Sequence, residues 1–182
     1  MTLSRQISRR LPLFCVGLVF GGCETATEPR LSEAAGIQAA AAAIADRNMQ
    51  IATLRRATAR YHDVTAAMAD GFVPIGICEA DAQGATGFAY ANLDRFDAIL
   101  DATEPEVLFY ESSKGGQLTL VAVELLIPTP LWTGNGAPSF LGQDLIEEEE
   151  FGIMGIHVWI WRHNPNGLFA SFNPNVSCEG GE

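Results

Sequence analysis

Apolar positions recur along this chain with two different periods, and the change falls at Gly71. Before it, Ile37, Ile44 and Ile51 are spaced by seven residues, and Leu54, Tyr61 and Met68 continue the same spacing. With Ala57 and Val64 they form one stripe on a helix, and a helix lying on a sheet is the reading. Asp70-Gly71 is expected to end it, with Gly71 in a left-handed cap. The segment is long, so a break is expected near Asp46 to Asn48, with the Ala-rich first piece loosely docked.

After Gly71 the texture becomes short strands and turns. Phe72 to Cys78 is an apolar run interrupted by Pro74, Gly84 to Tyr90 offers another strand, and Leu93 to Leu100 a brief helical turn. Val107 to Glu111 and Gln117 to Pro128 flank SSKGG, which predicts a hairpin. Pro128 to Glu150 is an acidic excursion whose four glutamates, Glu147 to Glu150, read as a solvated edge. Ile153 to Trp161 predicts a strand with His157, Trp159 and Trp161 on one face and Ile156, Val158 and Ile160 on the other. Both faces are apolar, so both should be covered and Trp159 buried. Asn164-Pro165-Asn166-Gly167 and Asn173-Pro174-Asn175 read as turns. The fold class is therefore α+β: a long N-terminal helix packed on a curved, mainly antiparallel sheet.

Two polar residues do not fit a purely structural strand. An imidazole at His157, amid Ile, Val and Trp, needs a partner if buried. Glu124 sits in the apolar run VAVELLI, where a carboxyl is costly unless paired. Facing each other on neighbouring strands, they would form either a structural pair or a base oriented by an acid. A metal site of Glu111, Glu124 and His157 is not expected. Glu111 at the hairpin turn lies six residues from Glu124 along the partner strand, roughly 20 Å at about 3.3 Å per residue. No GxSxG nucleophile motif or zinc spacing occurs, and no metal or cofactor is expected.

The ends change the picture. Arg5, Arg9 and Arg10 precede a ten-residue apolar run, Leu11 to Phe20, followed by Gly21-Gly22-Cys23. That order resembles a lipoprotein signal, with residues 1–22 removed, Cys23 lipidated, residues 23–31 a tether and residues 32–182 a single domain. The run is too short for a membrane-spanning helix. Removing residues 1–22 leaves eight of the 11 Lys and Arg against 22 Asp and Glu, so the formal charge moves from −11 to −14. Such a charge argues against nucleic acid and leaves membrane attachment to the lipid anchor. Of the four cysteines, Cys15 leaves with the signal and Cys23 takes the lipid, so Cys78 and Cys178 pair as one disulfide in an oxidising compartment.

YHDVTAAMADGFVPIGIC, GATGFAYANL, EPEVLFYE, LVAVELLIP and HVWIWRHNPNGLFASFNPNVSC together resemble a group of uncharacterised bacterial secreted or lipoprotein-like proteins over about Thr53 to Cys178. The group has no assigned activity, so the resemblance implies no reaction. It does imply a His where this chain has Ala89, so a metal site pairing that His with His157 would be half lost here. The functional expectation is a cell-envelope lipoprotein domain that binds a small ligand or an envelope protein partner. The alternatives are a periplasmic enzyme using His157 and Glu124 as an acid/base pair, and a purely structural envelope protein. An enzyme needs His157 to open into a cleft.

Overall fold

A computed structural model describes residues 28–180. The signal segment and Cys23 lie outside the described residues. Two compact units divide the chain, one ending at Gln38 and the other running from Ala39 to Glu182. The second contains the whole sheet and every site discussed below.

Helix α1, Glu28–Thr58, begins inside the segment read as a tether and crosses the boundary between the units. Alanine is the strongest helix former, and the first half of α1 is rich in it. No break occurs at Asp46–Asn48. Gln50 Nε2 donates to Asp46 Oδ2 at 2.7 Å, an i,i+4 pair that carries the helix through those residues. The break comes later, in a 3₁₀ turn at Ala59–His62. There the Asp63 side chain accepts from Thr65 N at 2.9 Å and caps a new helix, α2, Val64–Ala69. At its other end Gly71 N donates to Met68 O and Phe72 N to Ala67 O, with Gly71 at φ +92°, the expected left-handed cap.

Ten strands follow: β1 Val73–Pro74, β2 Ala80–Asp81, β3 Gly84–Ala85, β4 Phe88–Ala91, β5 Val107–Ser112, β6 Leu118–Pro128, β7 Ser139–Phe140, β8 Gln143–Asp144, β9 Ile146–Glu148 and β10 Ile153–Val158. Six of them form one sheet in the order β1-β4-β5-β6-β10-β9, and every pairing is antiparallel. The expected hairpin is β5–β6. Its register shifts between Phe109 and Tyr110, so Val121 is an extra residue between the partners Leu120 and Ala122. Such a bulge places Val121 and Ala122 in the same core cluster.

Each face of the sheet has its own core. On one, Leu54, Tyr61, Ala67 and Phe72 from the helical segment pack on Leu108, Tyr110, Val123, Leu125, Ile127, Ile156 and Val158. Tyr110 Oη donates to Tyr61 O at 2.7 Å and joins the helical segment to the sheet. The helical stripe docks only in this stretch; Ile44 and Met68 are exposed, and Ile37, in the first unit, is exposed as well. On the other face Ala89, Ala91, Val107, Phe109, Leu126 and Trp159 pack with Val176, covered by the segment after β1 and by the C-terminal tail. The tail is held by a bridge between Ala85 and Asn173 and by the Cys78–Cys178 disulfide, with Cα atoms 5.8 Å apart. The disulfide places this body in an oxidising, extracytoplasmic compartment. No helix among the described residues is long and apolar enough to cross a membrane.

Strand β10 ends at Val158, three residues short of the expectation, and this corrects one assignment. Ile160 N turns back onto Val158 O, and Trp161 N and Arg162 N both donate to the bulge carbonyl of Val121. Trp161 therefore lands on the helix-covered face. Its ring lies edge-on to His62 at 4.4 Å, and its Nε1 donates to Thr58 Oγ1 at 3.1 Å. Trp159 remains on the His157 face, only 3 % exposed, with Nε1 donating to Ala170 O. Both Asn-Pro turns form as expected, each with the first Asn side chain accepting a backbone N–H two residues on.

Candidate functional site

Strand register decides which polar side chains meet. In the β6–β10 pair Glu124 is directly opposite His157, and in β5–β6 it is opposite Val107, which pairs with Ala91 of β4. Directly opposed side chains on antiparallel strands lie about 4.5–5.5 Å apart at Cβ. One row across the sheet therefore reads Ala91, Val107, Glu124, His157. Phe109 lies against the imidazole with ring centroids 4.4 Å apart, and Trp159 stacks beyond it at 6.2 Å. Gly155, two residues before His157 and on the same face, has no side chain for a reason. A Cβ there would stand 2.3 Å from Glu124 Oε1, so the missing side chain is the space into which the carboxyl folds.

This row borders a cavity of about 230 Å³. Its walls are mostly apolar: Ile75 and Ile77 after β1, Ala89 and Ala91 on β4, Leu93 and Phe96 after it, Phe109 on β5, and Phe151 and Ile153 before and on β10. The volume exceeds the roughly 150 Å³ that holds benzene. It falls below drug-sized sites, which run from about 300 Å³. Small side chains make the room, since the alanines of β4 face Val107 and Phe109 across the sheet.

Glu124 and His157 both line the cavity, at 5 % and 9 % exposure. Glu124 Oε1 and His157 Nε2 are buried, and neither has a hydrogen-bond partner. The expected facing pair is thus in place, but no hydrogen bond links those two atoms. Buried polar atoms are almost always satisfied in native proteins, so two orphans on one cavity wall call for an explanation. The carboxyl of Glu124 is held well above the usual range, first by burial and then by the neighbouring acids Glu148, Glu106 and Glu79. Burial alone pushes His157 down to about 4. Burial thus disfavours the charged form of both groups.

Three further glutamates belong to this neighbourhood. Glu79 and Glu148 line the cavity. Burial raises Glu148, and Glu79 adds to the effect. Glu106 is fully buried and accepts from Leu126 N at 3.1 Å, yet burial still lifts it to about 8. Of the four glutamates read as a solvated edge, Glu147, Glu149 and Glu150 are exposed, whereas Glu148 is the exception. Nothing in a run of four identical residues marks which one turns inward; strand pairing of Glu148 with Ile153 does so. Glu111 stands apart, ion-paired with Arg162. Among the described residues no three His, Cys, Asp or Glu side chains are grouped to hold a metal ion. No protein-family model, curated protein or solved structure matches this chain.

Proposed function

We propose that this chain is an exported, lipid-anchored envelope protein whose Ala39–Glu182 body binds a small, largely apolar ligand in the cavity beside Glu124 and His157. The observation that carries the binding reading is the pair of unpartnered buried atoms, Glu124 Oε1 and His157 Nε2, on residues that wall a largely apolar space. A ligand supplying hydrogen-bonding groups there would satisfy both and cover the apolar walls. A neutral probe of matching size, 4-phenylbutan-1-ol, is expected to bind the purified domain by calorimetry. Ala89→Leu, which fills the cavity from its β4 wall, should weaken that binding about tenfold or more while the thermal melt stays cooperative. Equal binding by both proteins would place the ligand elsewhere.

The anchor reading rests on the Arg-rich start, the apolar run and Gly21-Gly22-Cys23, and the disulfide supports export. Cells fed a fatty-acid analogue should label the protein, and Cys23→Ser should remove the label. Undiminished labelling of the substituted protein would rule the anchor at Cys23 out.

A second reading, an enzyme, draws on the same cross-strand pair: a carboxyl whose burial favours its protonated form, beside an imidazole whose burial favours its neutral form, is an acid beside a base. It ranks lower because Oε1 and Nε2 make no hydrogen bond by which the acid would orient the base.

A further inference from the structure

We infer that the ligand is a small apolar amine, bound as its ammonium ion with the charged head at Glu124 and His157 and the hydrocarbon body along the Ile and Phe walls. This rests on the small-ligand reading above and adds the chemical class. Three carboxyl side chains, Glu79, Glu124 and Glu148, line the cavity, and no Lys or Arg does. An anionic ligand would find carboxyl side chains on β6, on β9 and on the segment after β1, and no cationic partner. A neutral imidazole offers a lone pair on one ring nitrogen, and Glu124 once ionised offers two oxygens, so both unpartnered groups can accept from a bound donor. An ammonium carries three N–H donors. It needs no fixed coordination geometry, unlike a metal ion, for which the ligand grouping is absent among the described residues. The aromatic walls also suit a cation: Phe109 lies against His157, and Phe96 and Phe151 complete the lining.

Proton balance follows from the surroundings of Glu124. His157 faces it from β10, and Glu148 on β9, Glu79 in the segment after β1 and Glu106 just before β5 add their charges. In the free protein burial, and the neighbouring glutamates after it, favour the protonated form of Glu124. When the ammonium enters, the carboxyl releases that proton to solvent, and the carboxylate pairs with the bound cation. Amine affinity should therefore rise with pH, by up to about tenfold per unit, while Glu124 is protonated free and ionised in the complex.

The test compares three probes of one shape by calorimetry: 4-phenylbutylamine, 4-phenylbutan-1-ol and 4-phenylbutyrate. The amine is expected to bind at least about tenfold more tightly than the alcohol, with the carboxylate weakest. Titration in buffers of different ionisation enthalpy should find about one proton released per amine bound. Glu124→Gln has the shape of the neutral acid, and in it the amine should lose its advantage while alcohol binding persists. Glu148→Gln, at a partly exposed position, provides a second variant that should lower amine affinity alone. If amine and alcohol bind the native protein equally, or the amine keeps its advantage in Glu124→Gln, the amine assignment is wrong and the small-ligand reading stands. If neither probe binds, both fall.

Discussion

Trp159→Ala is expected to cost about 3–5 kcal/mol of folding stability, as large deletions from packed cores do. The ring is 3 % exposed and packs among Phe109, Leu126, Val121 and the C-terminal Val176, so its removal leaves a void that surrounding β-structure fills only in part. Its Nε1 also donates to Ala170 O, and that carbonyl would lose its partner. For a domain of this size the melting temperature should fall by roughly 6–20 °C. Trp161 is a natural control. It is only partly buried, and Trp161→Ala should lower the melt less. An unchanged melt for Trp159→Ala would mean that the second core does not bear on stability.

Replacing Cys78 and Cys178 together by Ser should be comparably costly. The bond closes a sequence separation of 100 residues. On the chain-entropy account, releasing such a loop in the unfolded chain costs about 4–5 kcal/mol. The effect should extend to the cavity, since Cys78 lies between Ile77 and Glu79, both of which line it. Loss of the bond frees that wall from the tail. The double variant should therefore melt lower and bind 4-phenylbutan-1-ol more weakly, and the native protein under strong reductant should match it. A double variant with native melt and native binding would show that Ala85 and Asn173 hold the tail unaided.

Glu124 and His157 were legible because burying a polar group in an apolar run demands a partner, and strand alternation puts both on one face. Cys78 and Cys178 followed from counting. The α+β class was legible in the change of period at Gly71. Other features depend on contacts between distant residues. Trp161 was expected beside His157, but whether β10 continues past Val158 is decided by the bulge at Val121 on another strand. Periodicity showed which helical residues share a face; it could not show that Ile44 has nothing over it while Leu54 does. Length predicts a break near Asp46 to Asn48, whereas a local i,i+4 pair holds the helix there and the Asp63 cap starts a new helix after the 3₁₀ turn. Glu148 was hidden in a repeat of its own kind.

The order of the sheet has a further meaning for how copies of this protein meet. An antiparallel sheet that does not close has two borders, and an unguarded border can recruit a strand from a neighbour. Here one border is β1, two residues long, with Pro74 lacking the N–H that an added strand would need. The other is β9, which runs directly into Glu149 and Glu150. A second copy approaching that side brings the same acids, and the repulsion acts before backbone pairing begins. Copies that meet edge to edge collide at one of these two borders. A short proline-bearing border and an acidic one keep such collisions from growing into fibres.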